Sequence, residues 1–215
     1  MNGIINFNAL IAENASSLNN EKLQTLCSYL QISADRLLAT YDKINMYYSL
    51  QKAVHVSELE NDLKPDPHHI IDAIKSVMHK QGRINDLEFH QPSPPIFFSK
   101  LIHVAAKELT ENACKFSEKG TPIAVCISAE NRGYTISIAN QTMHTTADTL
   151  NKYRLFEQHQ RDIAEQQGLG IGLAISKLIA GIHKGNLEFS EQILANTVRS
   201  IHATLYLPIQ NLEKI

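Results

Sequence analysis

The sequence lacks long apolar runs, an excess of either charge and a cysteine framework, and each absence removes a class of protein. No run of about 18 apolar residues occurs and no signal peptide opens the chain, so nothing in this segment is expected to contact a membrane. Twenty basic residues stand against 22 acidic ones for a net charge of −2, which leaves no basic field for nucleic acid. The three cysteines, Cys27, Cys114 and Cys126, are odd in number and form no C-x-x-C, which suits reduced thiols in a cytoplasmic compartment. No internal repeat or low-complexity segment is present. The 215 residues leave room for one medium domain and a smaller element.

What is present is patterned. Leu23, Cys27, Leu30, Ala34, Leu37, Tyr41, Ile44 and Tyr48 recur in steps of four and three, a heptad seam that Leu26, Leu38 and Met46 widen. Residues 1–14, with Ile4, Phe7 and Ile11, read as the later part of an amphipathic helix, and the polar stretch 15–20 joins the two. One helical hairpin cannot cover so wide a stripe. The expectation is pairing with a second copy of the chain into a four-helix bundle. Mixed charges and two prolines in 49–67 place a junction there, dividing a helical unit, 1–58, from a second unit, 59–215.

In the second unit, 68–81 reads as a helix stopped by Gly82, and 87–90 as a short strand. The stretch Leu101 to Gly120 puts Ile102, Ala105, Leu109, Ala113 and Phe116 near one helix face, a stripe suited to packing on a sheet. Glu108, Asn112 and Lys115 fall at i, i+4 and i+7 on a second strip. A carboxylate, an amide oxygen and a cation so placed suit a magnesium ion and a polyphosphate; an ordinary solvated helix face is the plain alternative. Residues 122–130 and 134–140 alternate at period two as a hairpin, and 186–190 and 199–207 read as closing strands. Between them, 141–167 is long and polar, with one helical patch around 150–156. Gly168, Leu169, Gly170, Ile171, Gly172 and Leu173 then form a glycine alternation that runs into a helix over 173–183. Backbone N–H groups there can approach an anion at a helix N-terminus. The whole predicts an α+β chain: a two-layer α/β sandwich behind an N-terminal helical hairpin.

ELTENACKFS resembles the N box of the histidine-kinase ATP-binding domain, of the wider family that includes DNA gyrase, Hsp90 and MutL. LFEQHQRD, followed by QQGLGIGLAISKLI, resembles that family's F box and second glycine box, in the correct order. The hairpin is similar to the family's dimerisation segment. The resemblance implies an ATP-dependent histidine kinase core of a two-component system, with ATP and Mg2+ as cofactors, a homodimer through the hairpin and a response-regulator receiver domain as partner. By the same resemblance Asn112 and Glu108 would hold magnesium, with Glu108 orienting its waters or acting as base. Lys115 would contact phosphate and Phe116 would lie against adenine. Phe156 would anchor the lid, Arg154 and Arg161 are candidate lid cations, and Gly168 to Leu173 would meet the phosphates.

Two departures stand out. The family's H box, whose histidine takes the phosphoryl group, matches none of the ten histidines, so the acceptor is expected upstream of Met1. The first glycine box, Asp-x-Gly-x-Gly in the family, reads Asn140-Gln141-Thr142-Met143-His144 here. An asparagine carbonyl still accepts a hydrogen bond from the adenine amino group, without charge assistance. The last glycine box has no match in 194–199. These departures raise a second reading, a non-catalytic adaptor or phosphotransfer-type pseudokinase that docks a response regulator or a partner kinase.

Overall fold

The structure, a computed structural model, describes residues 6, 9–13, 21–53, 67–90, 100–130, 133–143, 145–153, 170–195 and 197–208. Two compact units follow one another, Met1–Tyr48 and Ser49–Ile215.

The heptad seam lies on one long helix, α1 (Glu21–Ala53). Cys27 is buried, while Leu30, Leu37, Tyr41 and Tyr48 each leave more than half of their surface exposed within the single chain. Residues 9–13 are also helical, and the polar connection 15–20 lies outside the described residues.

In the second unit α2 (Pro67–Lys80) buries Ile70, Ile74, Val77 and Met78, which recur at helical spacing. Gly82, at φ 63, ends it: Gly82 N donates to His79 O and Arg83 N to Met78 O, closing the last carbonyls. A single 3-10 turn (Ile84–Asp86) leads into β1 (Leu87–His90). Then come α3 (Lys100–Lys115), β2 (Ile123–Glu130), β3 (Gly133–Thr142), α4 (Ala147–Lys152), α5 (Ile171–Ile182), β4 (Asn186–Ala195) and β5 (Val198–Pro208).

The sheet has the order β1-β2-β3-β5-β4, with β1 parallel to β2 and every other pair antiparallel. Period-two alternation gives it one apolar face, where Ile123, Val125, Ile127, Ile136, Ile138 and Leu205 are fully buried. α3 supplies the matching stripe of Ile102, Ala105, Leu109 and Ala113, and packs against α2, α5 and β3. The opposite face carries Cys126, Ser137, Thr204 and Glu188 in register. This is the two-layer α/β sandwich expected from the pattern.

Two local expectations are corrected. β4 runs on to Ala195 rather than ending at Ser190, because backbone pairing with β5 carries it through Glu191 and Gln192, where apolar alternation has already failed. β3 continues through Thr142, which pairs with Arg199, where resemblance would set a glycine. Of the patch expected around 150–156, residues 154–156 lie outside the described residues; α4 covers 147–152. Thr146 sets its start as N-cap, its hydroxyl accepting from Thr149 N at 3.2 Å.

Candidate functional site

Connectivity brings the chemistry-bearing residues to one end of the sandwich. α3 ends at Lys115, and a short loop returns the chain to Ile123, which pairs with Asn140 near the end of β3. α5 runs away from that same end, because it is followed by β4, whose first residue, Asn186, pairs with Tyr206 at the far end of β5. The N-terminus of α5 therefore shares an end with the C-terminal turns of α3 and with Asn140.

Glu108 is buried at 7% exposure, an uncommon place for a carboxylate. Its Oε2 lies so close to Gly172, in the first turn of α5, that a Cβ there would overlap it. Only glycine allows this approach. Asn112, one turn along α3, is half-buried, and Lys115 is exposed with its ammonium 5.4 Å from the centroid of the half-buried Phe116 ring. Gly170 is the N-cap of α5 at φ 63, a left-handed conformation, and the Tyr153 hydroxyl fills the place of its missing Cβ. Burial pushes the Tyr153 hydroxyl above the usual phenol value, so it stays protonated and can donate. Leu173 is buried in the first turn of α5.

Asn140 is 9% exposed and projects from the helix-facing side of β3, between Ile123 and Ile201. Phe156, Arg154, Arg161, Gly168 and Leu169 lie outside the described residues. Of the remaining candidates, the structure places Glu108 against Gly172, keeps Asn112, Lys115 and Phe116 on the adjoining turns of α3, and sets Asn140 at the same end.

Several residues that hold this end together carry no motif. Arg83, 3% exposed, donates to Cys114 O, Ser117 O, Glu118 O and Thr121 O, and so caps α3 and ties the loop behind Lys115 and Phe116. Lys177 on α5 donates to Leu150 O, Asn151 O and Tyr153 O at 3.0–3.2 Å, capping the C-terminus of α4. Asn151 bonds both backbone groups of Phe189 on β4, and Glu191 accepts from Ala147 N at the other end of α4. In sequence, Lys177 is one polar residue of an apolar helix and Arg83 one charge in a turn. Neither spacing signals a partner so distant along the chain.

The residues fit a magnesium nucleotide on two counts. The buried Glu108 carboxylate sits directly on Gly172 at the start of α5, and the buried Asn140 carboxamide has only a long bond to protein, 3.4 Å to Gln141 O, among the described residues. Among those residues no group of three or more His, Cys, Asp or Glu could hold a metal unaided. Magnesium takes one or two protein oxygens and completes its shell with phosphate and water.

The family model of the histidine kinase-, DNA gyrase B- and HSP90-like ATPases matches residues 99–211, more than half of the chain. The chain belongs to this ATPase family. Among curated relatives of this chain, the heme sensor protein HssS of Staphylococcus saprophyticus subsp. saprophyticus is 29% identical over 102 residues, 47% of this chain and 22% of that protein. The sensor protein KdpD of Clostridium acetobutylicum is 22% identical over 194 residues, 86% of this chain and 21% of that one. The chain thus spans about a fifth of the length of the curated relatives it matches. Full-length ShkA, solved in complex with AMPPNP, aligns with a TM-score of 0.66 at 17% identity, over 87% of this chain and 39% of that chain. The Acinetobacter baumannii histidine kinase AdeS aligns at 0.64 with 15% identity, over 95% of this chain and 96% of that one. These likenesses show the fold: a histidine-kinase-type ATPase core. No helix among its described residues is long and apolar enough to cross a membrane.

Proposed function

We propose that this ATPase core serves a two-component histidine kinase, binding Mg-ATP at the α3–α5 end of the sandwich for transfer to a histidine and then to a response-regulator aspartate. The observation that carries the reading is the approach of Glu108 to Gly172, which joins the N-box helix to the start of the glycine-box helix. When bound, Mg-ATP supplies the transferable γ-phosphoryl group, and the metal neutralises charge on the phosphates. Asn112 and Glu108 offer the oxygens that would hold magnesium, and Glu108 is the residue placed to orient its waters or take a proton. Lys115 brings a cation toward phosphate, Phe116 an apolar ring toward the base, and the first turn of α5, with Gly170, Gly172 and Leu173, its backbone N–H groups. Phe156, Arg161, Gly168 and Leu169 would complete the lid and the phosphate contacts. None of the ten histidines in this sequence matches the family's H box. The exposed seam on α1 supports homodimerisation and docking of a receiver domain, in the cytoplasm.

A non-catalytic adaptor is the second reading. What favours it is Thr142, buried at 5% exposure in an unbroken strand pair where resemblance would set a glycine.

Calorimetric titration with AMPPNP, with and without magnesium, separates the two. Micromolar, magnesium-dependent binding that Asn112→Ala abolishes supports the kinase core. Failure to bind at millimolar nucleotide leaves the adaptor.

A further inference from the structure

Asn140 is the buried polar side chain that this end of the sandwich leaves least committed. It is 9% exposed, yet among the described residues its carboxamide makes a single hydrogen bond, from Nδ2 to Gln141 O at 3.4 Å, near the outer limit for such a contact. Buried carboxamides normally have their donors and acceptor met. Neither neighbour across the strands offers a side-chain partner, since Ile123 and Ile201 flank it in register. The loop and helix end bearing Lys115 and Phe116 lead to Ile123, which pairs with Asn140, so the group lies at the end of the sandwich assigned above to the nucleotide.

We propose that Asn140 makes this nucleotide site accept purines with either substituent at the 6-position, so that hypoxanthine and guanine bind alongside adenine. The proposal rests on the nucleotide-binding reading of the site. A carboxylate at this position only accepts hydrogen bonds. It pairs with the 6-amino group of adenine and sets lone pairs against the 6-oxo group of hypoxanthine or guanine. A carboxamide presents one acceptor and two donors on a planar group, and half a turn about its last bond exchanges them without changing its shape. In one orientation the oxygen accepts from the adenine 6-amino group while the nitrogen donates to N1. In the other the nitrogen donates to O6 while the oxygen accepts from N1–H. Among the described residues, the only bond lost in turning is the long one to Gln141 O. A site excludes an analogue strongly when a buried polar group is left unpaired by it. Here the group is paired by both bases, so that source of discrimination is gone.

The test is titration of the full chain with ADP, IDP and GDP in magnesium buffer, for the wild type and Asn140→Asp. The wild type is expected to bind IDP within about five-fold of ADP, the ratio that an amide paired equally by both bases predicts. Asn140→Asp should keep ADP binding and weaken IDP at least about ten-fold, as an unpaired O6 requires. GDP carries the same 6-oxo group and is expected to bind as IDP does; IDP binding with GDP rejected would overturn the proposal for guanine. Binding of ADP with rejection of IDP by the wild type would overturn the proposal and leave the ATPase reading standing. Failure of all three nucleotides would overturn both. The wild-type ratio decides the matter alone if Asn140→Asp does not fold.

Discussion

Arg83 donates from Nε to Asp86 Oδ2 at 2.6 Å, and this pair holds the turn from α2 into β1 against the end of α3. Asp86 also accepts from Gly120 N at 3.1 Å, while the guanidinium spreads over the carbonyls of Cys114, Ser117, Glu118 and Thr121. One buried cation therefore caps α3 and fixes the loop that carries Phe116.

Removing that cation should cost more than a surface charge does. Arg83→Ala strands the carbonyls that end α3, and a loss of about 2–4 kcal/mol is expected, read by urea unfolding. Arg83→Lys should recover little, because an ammonium cannot spread over acceptors in several directions as the planar fork does. Wild-type stability in either variant would show that the cap is dispensable.

Acid should weaken the same contact. The hydrogen bond from Arg83, and then that from Gly120 N, hold the Asp86 carboxyl below its ordinary value of 3.8. A carboxylate with a lowered folded-state pKa contributes stability that is present above the unfolded value and lost as pH falls through the folded one. The gap in melting temperature between wild type and Asp86→Asn should thus be steady from pH 7 to about pH 5 and close below about pH 4. A gap independent of pH would mean that the carboxylate's charge is irrelevant.

The meeting of Glu108 with Gly172 can be tested by a double-mutant cycle. Gly172→Ala in the wild type should cost about 1–3 kcal/mol, since the methyl group has no room beside the carboxylate. In a Glu108→Ala background the same substitution should be neutral or slightly stabilising, because alanine is favoured over glycine in a helix. Additive effects in thermal melts would place the carboxylate elsewhere.

Leu30 and Leu37 are 55% and 57% exposed within one chain. If α1 pairs with a second copy, Leu30→Glu combined with Leu37→Glu should convert a dimer to monomers in sedimentation, because two unpaired charges would be buried in the seam. Nucleotide binding by the second unit should survive. A double mutant that still sediments as a dimer would locate the interface elsewhere.

Secondary structure was legible wherever a periodic pattern continued to the end of an element. α3 could be read from its stripe and its Glu108, Asn112 and Lys115 strip, and β2, β3 and β5 from alternation, because each buries one face against the same core. The outer half of β4 was not legible: Glu191 and Gln192 interrupt the alternation, and backbone pairing with β5 holds that half. The start of α4 was not legible either, because the Thr146 hydroxyl sets it rather than apolar spacing.

By itself, then, the sequence determined the order of elements, the family and the residue types of the candidate site, since these follow from local spacing along one helix or strand. Only the tertiary structure decided which residues meet. Contacts such as Glu108 with Gly172, Arg83 with the end of α3 and Lys177 with the end of α4 join segments far apart in the chain. Their partners are mostly backbone atoms, which carry no residue identity for a sequence to show. The low commitment of Asn140 is also a fact of packing: the residue type says what it can bond, and its neighbours decide what is left unbonded.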